Sequence, residues 1–211
     1  ERVNVFLDDE FAFAVTLTVA ATLRKDQHLD DEEIEHLKQG DQRNKAYDRA
    51  LRFLGFRPRS VSEMKKYLAN KKFLPDVIED TIARLTEQQY LDDHAFAQFW
   101  LENREQFKPR GQRALRYELR QKGISDQIID ATLTDLNEDE LAWAAVERKL
   151  NAWKKLPHEA LKKKVIGFLS RRGFNYEVAH SVVQRVQASI ETDETDEIDD
   201  LERPSIDLEW D

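Results

Sequence analysis

Basic side chains at helical spacing are the first chemistry the chain offers. Arg113, Arg116 and Arg120 stand at i, i+3 and i+7, so on a helix they share one face, and Lys108, Arg110 and Lys122 flank them. Arg57, Arg59, Lys65, Lys66, Lys71 and Lys72 form an earlier cluster; Lys162, Lys163, Lys164, Arg171 and Arg172 form a later one. Guanidinium and ammonium groups arrayed in this way suit a partner that is itself long, charged and repetitive, through pairing with phosphates or carboxylates. Any one of these cations suits a solvated helix surface equally well, and only their recurrence points to binding.

Residue types for catalysis or metal binding are present but not assembled. The six glycines stand apart, at positions 40, 55, 111, 123, 167 and 173, so none of them builds a phosphate loop. His28, His36, His94, His158 and His180 include no pair at i, i+4 spacing, and the acidic residues between His28 and His36 look solvated. Ser60 and Ser62 lie near Glu63 with no histidine nearby to serve as base, and a helix cap explains them better. The absence of cysteine excludes disulfides and thiolate metal sites. The expectation is therefore a protein that is not an enzyme, with no catalytic residue, no metal and no cofactor. Phe96, Phe99, Trp100 and Phe107 share one helix and Trp143 and Trp153 another. Helical spacing within an apolar stripe predicts core packing rather than a stacking platform; Trp153, beside Lys154 and Lys155, is the most doubtful of them.

The elements that must position these groups follow from composition and periodicity. The chain has 211 residues, 40% hydrophobic and 36% charged, a wet composition that predicts small local cores. Its net charge of −9 is unevenly laid: residues 46–190 carry 26 basic and 20 acidic residues, whereas residues 191–211 carry 1 basic and 11 acidic. A mildly basic body is masked by an acidic tail, read as disordered. No run approaches a membrane span, and Phe11–Leu23 lacks the basic flank of a signal peptide, so a cytoplasmic protein is expected.

An internal repeat organises the body. Leu68–Phe73, Leu119–Ile124 and Leu169–Phe174 align at offsets of 51 and 50 residues. Met64, Leu115 and Val165 align upstream; Val77, Ile128 and Val178, then Ile82, Leu133 and Val183, then Leu85, Leu136 and Val186 align downstream. Each unit reads as three helices, the first helices being roughly 46–56, 94–107 and 141–156. Ser60–Glu63 and Asn137–Glu140 have capping-box form, Ser125 and Asn175 suit N-caps, and Pro75 suits a first helical turn. Gly123 and Gly173 can end their helices in the left-handed conformation, which Lys72 at the equivalent place would adopt less easily. In front, Arg2–Leu7 and Phe11–Val19 read as a hairpin about Asp8–Glu10, followed by a short helix from Asp30 that Gly40 closes. The expected fold is thus mainly α: tandem three-helix repeats at 45–92, 93–137 and 138–190 forming an elongated, curved solenoid. An N-terminal extension at 1–44 and a disordered acidic tail at 191–211 flank them.

Within this frame, Arg57-Pro58-Arg59-Ser60-Val61-Ser62-Glu63 resembles the R-x-R-S-x-x-E signature of the RecX family. Leu91-Asp92-Asp93-His94-Ala95-Phe96-Ala97 is similar to that family's L-[ND]-D-x-x-F-A segment. Arg104, Gly111 and Leu119-Arg120-Gln121-Lys122-Gly123-Ile124 match its R…G…L-x-x-K-G-I segment, in the same order. Each motif alone is weak; their order and spacing over residues 46–190 are specific. The resemblance implies a regulator that lodges in the groove of the RecA–DNA filament and lowers the recombinase, ATPase and coprotease activities of RecA. It would do so by blocking filament growth or promoting disassembly, as a monomer with at most weak, non-specific DNA binding and no membrane attachment.

The implied contact residues are Arg57, Arg59, Arg104, Lys108, Arg110, Arg113, Arg116 and Arg120, paired with RecA carboxylates or DNA phosphates. Arg57 and Arg59 suit a helix-junction role as well. The acidic tail lies outside the matched pattern and is compatible with DNA mimicry, with folding back on the basic face, or with solubility alone. Two other classes remain open: a stand-alone helix-turn-helix-like DNA binder, for which Gln112 and Gln121 make a poor recognition code, and a helical-repeat scaffold.

Overall fold

A computed structural model describes residues 2–201, with side chains described for residues 2–190. Strands β1 (Arg2–Leu7) and β2 (Glu10–Thr16) form an antiparallel hairpin. Its two-residue turn is Asp8–Asp9, both with positive φ (49° and 65°), the backbone twist that matches paired strands. The second strand stops three residues short of the predicted end. Thr16 accepts a hydrogen bond from the Val19 amide at 3.4 Å and caps the short helix α1 (Leu17–Ala20).

The described residues divide into two compact units. One runs to Phe96 and takes in Lys122–Ile124; the other holds Ala97–Gln121 and continues from Ser125.

In the first unit, α2 spans Asp31–Leu54, α3 Val61–Asn70 and α4 Pro75–Glu87. The expected stop at Gly40 does not occur. A glycine in a helix interior costs about 1 kcal/mol relative to alanine, too little to break a helix held at both ends. The start is held by a full capping box, in which Asp30 accepts from the Glu33 amide at 2.8 Å and Glu33 from the Asp30 amide at 3.0 Å. Farther along, Ala46 and Ala50 are fully buried among Met64, Leu68, Leu85 and Leu91. The hairpin is tied to α2 by buried Asp41, which pairs with Arg2 and, at 2.6 Å, with Lys45. Lys72 does adopt the left-handed conformation (φ 63°) that ends α3, against its intrinsic preference.

The remaining helices are α5 (Asp93–Phe107), α6 (Gln112–Gln121), α7 (Asp126–Leu133), α8 (Glu138–Trp153), α9 (His158–Ser170) and α10 (Tyr176–Leu201). The largest apolar cluster of the second unit gathers Val146, Leu161, Val165, Leu169, Phe174 and Val182, with Trp153 buried edge-on to Phe168 at 5.1 Å. Trp153 is therefore a core residue. The repeat is legible in this packing: Met64, Leu115 and Val165, and likewise Leu68, Leu119 and Leu169, are completely buried. Ile128 and Leu136 are only partly buried, unlike their counterparts in the other repeats. Gly123 and Gly173 take positive φ (79° and 85°), and Ser125 and Asn175 cap α7 and α10 as expected.

Of the acidic tail expected at 191–211, residues 202–211 lie outside the described residues, as do all side chains beyond 190. Among the described residues no helix is long and apolar enough to cross a membrane. No group of three or more His, Asp or Glu side chains among them could hold a metal ion.

Candidate basic interface

In the first unit the candidate cations sit at the corner between α2 and α3. Phe56 is 83% exposed there, and Arg57, Pro58 and Arg59 follow it. Arg57 donates twice to Glu63, at 2.9 and 3.0 Å, and Lys122 donates to the same carboxylate at 2.6 Å. Buried Ser60 accepts from the Glu63 amide at 3.1 Å and donates to the Lys122 carbonyl at 2.6 Å. The predicted capping box is thus half formed: the serine caps, while the glutamate carboxylate turns to two cations. At Asn137 the same happens. Asn137 accepts from the Glu140 amide at 3.2 Å, and the Glu140 carboxylate pairs with Arg185 at 2.7 Å.

Burial alone would raise the Glu63 pKa, but hydrogen bonds from Arg57 and Lys122, with their charges, hold it at about 2. A carboxylate with a depressed folded pKa stabilises the fold above its unfolded pKa, and that stability is lost as pH falls through the folded value. After allowance for screening of this partly wetted group, about 1–2 kcal/mol is expected to disappear between about pH 4.5 and about pH 2. Denaturant titrations across that range should show the Glu63→Gln protein lacking this part of the slope. Coincident slopes for the two proteins would remove the ion-pair node from the account.

Arg59 lies over the Phe53 ring at 3.8 Å, and its Nε is buried without a hydrogen-bond partner. Burial and the nearby Arg57 charge lower its pKa, though a guanidinium stays charged at any pH of interest. It edges a cleft of about 500 Å³ walled by Leu51, Leu54, Tyr90 and Phe96.

In the second unit the predicted cations divide into three groups. Arg104 and Arg110 converge on Glu118, at 2.7 and 3.6 Å, and Trp100 donates its indole N–H to the same carboxylate at 2.9 Å. Arg116 pairs with Asp130, and Arg120 with Asp126 at 2.7 Å, across the α6–α7 hairpin. Lys108 and Arg113 are exposed and, among the described residues, have no ion pair.

Sequence reasoning missed one further cation, Arg148, and named a second, Arg172, only within the later basic cluster. Arg148 donates to the carbonyls of Gln106 and Phe107 at 2.8 and 3.3 Å, and Arg172 to that of Pro109 at 3.1 Å. Both are distant in sequence from the loop they bind, and nothing in the local pattern of α8 marks Arg148. Phe107, expected in the core, is 61% exposed at the end of α5. A signal for it was available: Phe56-Arg57-Pro58-Arg59 recurs as Phe107-Lys108-Pro109-Arg110 exactly one repeat of 51 residues later.

Three-helix units in tandem behind a hairpin, with basic side chains gathered at their corners and along α6, define a helical-repeat protein. The chain belongs to the RecX family of regulatory proteins. Residues 46–85, 92–133 and 137–183 match the first, second and third three-helix domains of RecX, and residues 1–30 match the regulatory protein RecX N-terminal domain. Regulatory protein RecX of Bacillus subtilis (strain 168) is 36% identical over 192 residues, covering 89% of this chain and 73% of the relative. That of Leuconostoc mesenteroides is 30% identical over 207 residues, covering 96% of this chain and 77% of the relative. A crystal structure of regulatory protein RecX superposes with TM-score 0.69 and 30% identity, over 86% of this chain and 94% of that one. RecX from Lactobacillus salivarius shares the fold, with TM-score 0.63 and 21% identity over 70% of this chain and 98% of that one.

Proposed function

We propose that this protein binds the RecA–DNA filament and lowers the recombinase, ATPase and coprotease activities of RecA, by blocking filament extension or promoting disassembly. It acts in the cytoplasm as a monomer, without catalysis and without a cofactor, in the control of homologous recombination, DNA repair and the SOS response. The supporting observation is the ordered set of RecX domains on a chain whose three-helix repeats carry basic residues at corresponding corners. The repeats are taken as 45–92, 93–137 and 138–190. Arg57, Arg59, Arg104, Lys108, Arg110, Arg113, Arg116 and Arg120 are the proposed contacts, pairing with RecA carboxylates or DNA phosphates. Lys108 and Arg113 can do so directly and Arg59 would have to leave the Phe53 ring, whereas the others must share or exchange their intramolecular carboxylates.

The test is the single-stranded-DNA-dependent ATPase rate of RecA, titrated with this protein. Inhibition well below one copy per RecA is expected, because a blocked filament end idles many subunits. No inhibition at excess, with RecA from a related source, would sink the proposal.

A further inference from the structure

We infer that the α5–α6 corner of the second unit is a single-stranded nucleic-acid site, in which the exposed ring of Phe107 stacks on a base while Lys108, Arg148 and Arg172 hold the adjoining phosphates. The inference deepens the regulator reading by assigning a nucleic-acid contact to named residues, but its chemistry stands without RecA.

Four observations converge on this corner. First, Phe107 is 61% exposed although it closes an otherwise amphipathic helix. An isolated exposed aromatic is ordinary; one on a loop whose carbonyls hold cations is an arrangement that suits single-strand binding, since every base offers a flat π-face. Second, the guanidiniums of Arg148 and Arg172 are anchored on the carbonyls of Gln106, Phe107 and Pro109, not on carboxylates. A carbonyl fixes a guanidinium in place without neutralising it. Among the described residues neither arginine has an acidic partner, and Lys108 is exposed with none. Most other arginines of the second unit are neutralised, by Glu118, Asp130, Asp126 or Glu140.

Third, the positive charges are close enough to oppose one another. The Arg172 pKa is lowered by burial first and then by the charges of Arg110 and Arg148. Cations held together despite that repulsion make a ready anion site. Fourth, the residue run and its exposed aromatic occur twice, although at the earlier corner the cations are shared with a carboxylate. One repeat earlier, Phe56 is 83% exposed and is followed by Arg57, Pro58 and Arg59, with Arg57 and Lys122 paired to Glu63. A run of aromatic, cation, proline and arginine that serves in two separate repeats suits a ligand with many identical units. An acidic peptide supplies charge but no regular flat rings, so a single strand of nucleic acid is favoured.

The experiment uses the full chain without RecA and measures fluorescence anisotropy with an oligothymidylate of about 16 nucleotides and with an abasic strand of equal length. Phe107→Ala should weaken oligothymidylate binding by roughly 5- to 100-fold and leave the abasic strand, which keeps the phosphates, unaffected. Arg148→Ala should weaken both strands and lower the dependence of affinity on salt by about 0.7 per lost phosphate contact. Both side chains are exposed, and Lys108→Ala serves as a second cation variant should Arg148→Ala lose helicity. Equal affinity of Phe107→Ala and the parent for oligothymidylate overturns the stacking role. Equal binding of polyglutamate and oligothymidylate by the parent overturns the nucleic-acid assignment in favour of an acidic protein. Loss of RecA inhibition is scored separately: a parent that binds the strand yet never inhibits RecA keeps this site and loses the regulator reading.

Discussion

A Gly111→Ala protein is expected to melt about 6–12 °C below the parent. The reason is a backbone approach that leaves no room for a side chain. The Gly111 amide donates to the Arg172 carbonyl at 3.0 Å, which brings the start of α6 against the turn that ends α9. A Cβ built on Gly111 would lie 2.4 Å from both the Gly173 carbonyl oxygen and the Phe174 amide nitrogen. Both are main-chain atoms, and Gly173 is itself pinned in the left-handed region, with Ala114 against it. Overpacking of this kind costs about 3 kcal/mol when rotamers cannot relieve it, and a domain of this size loses about 2–4 °C per kcal/mol. The control is the same substitution at Gly40, where a Cβ would meet nothing within 4 Å inside the long helix α2. Gly40→Ala should stabilise by about 1 kcal/mol, through helix propensity and a stiffer unfolded chain. Thermal unfolding of the two proteins side by side should give shifts of opposite sign; equal shifts would discredit the local geometry.

Reversal of Arg113, Arg116 and Arg120 to Glu together is expected to abolish inhibition of RecA. Charge-assisted hydrogen bonds are worth about 1.5–3 kcal/mol each, so losing two corresponds to at least about a hundredfold in affinity, before any repulsion from the new carboxylates. On the proposed reading, Arg113 is expected to matter most. Arg116 and Arg120 face Asp130 and Asp126, so replacing them sets carboxylate against carboxylate within the α6–α7 hairpin. Arg113 has no such tie, and Arg113→Glu alone should retain much of the triple variant's effect with α7 undisturbed. Half-inhibiting concentrations in the RecA ATPase assay, with far-UV circular dichroism to verify helicity, decide the matter. Inhibition that survives the triple reversal in a fully helical protein would take this face out of the mechanism.

The repeat, the hairpin and most of the core could be read from residue types, because burial at a fixed helical period leaves its mark on sequence. Leu68, Leu119 and Leu169 are the clearest case: the same residue at the same phase, each wholly inaccessible. The continuity of α2 through Gly40 was not legible, since a glycine weakens a helix by an amount that caps and burial elsewhere outweigh. Nor was the fate of Glu63. A capping glutamate and an ion-paired one look alike until Lys122, 59 residues away, is brought beside it. The basic α6 face was visible as a spacing, yet spacing could not tell neutralised arginines from open ones. That distinction depends on Asp126 and Asp130 arriving from α7. Phe107 was misassigned because it shares its helical stripe with Phe96, which is 1% exposed, while the helix ends before its own position is covered.

The first compact unit takes in Lys122–Ile124 from beyond the end of its own three helices. The consequence is genetic as much as structural. A gene cut after the codon for Phe96 would encode α2, α3 and α4 entire, yet Ser60 would have no acceptor and Glu63 would keep one cation instead of two. The inheritable module and the folding module are therefore out of phase. A duplicated repeat would need its own Lys-Gly-Ile equivalent to supply the same acceptor and cation.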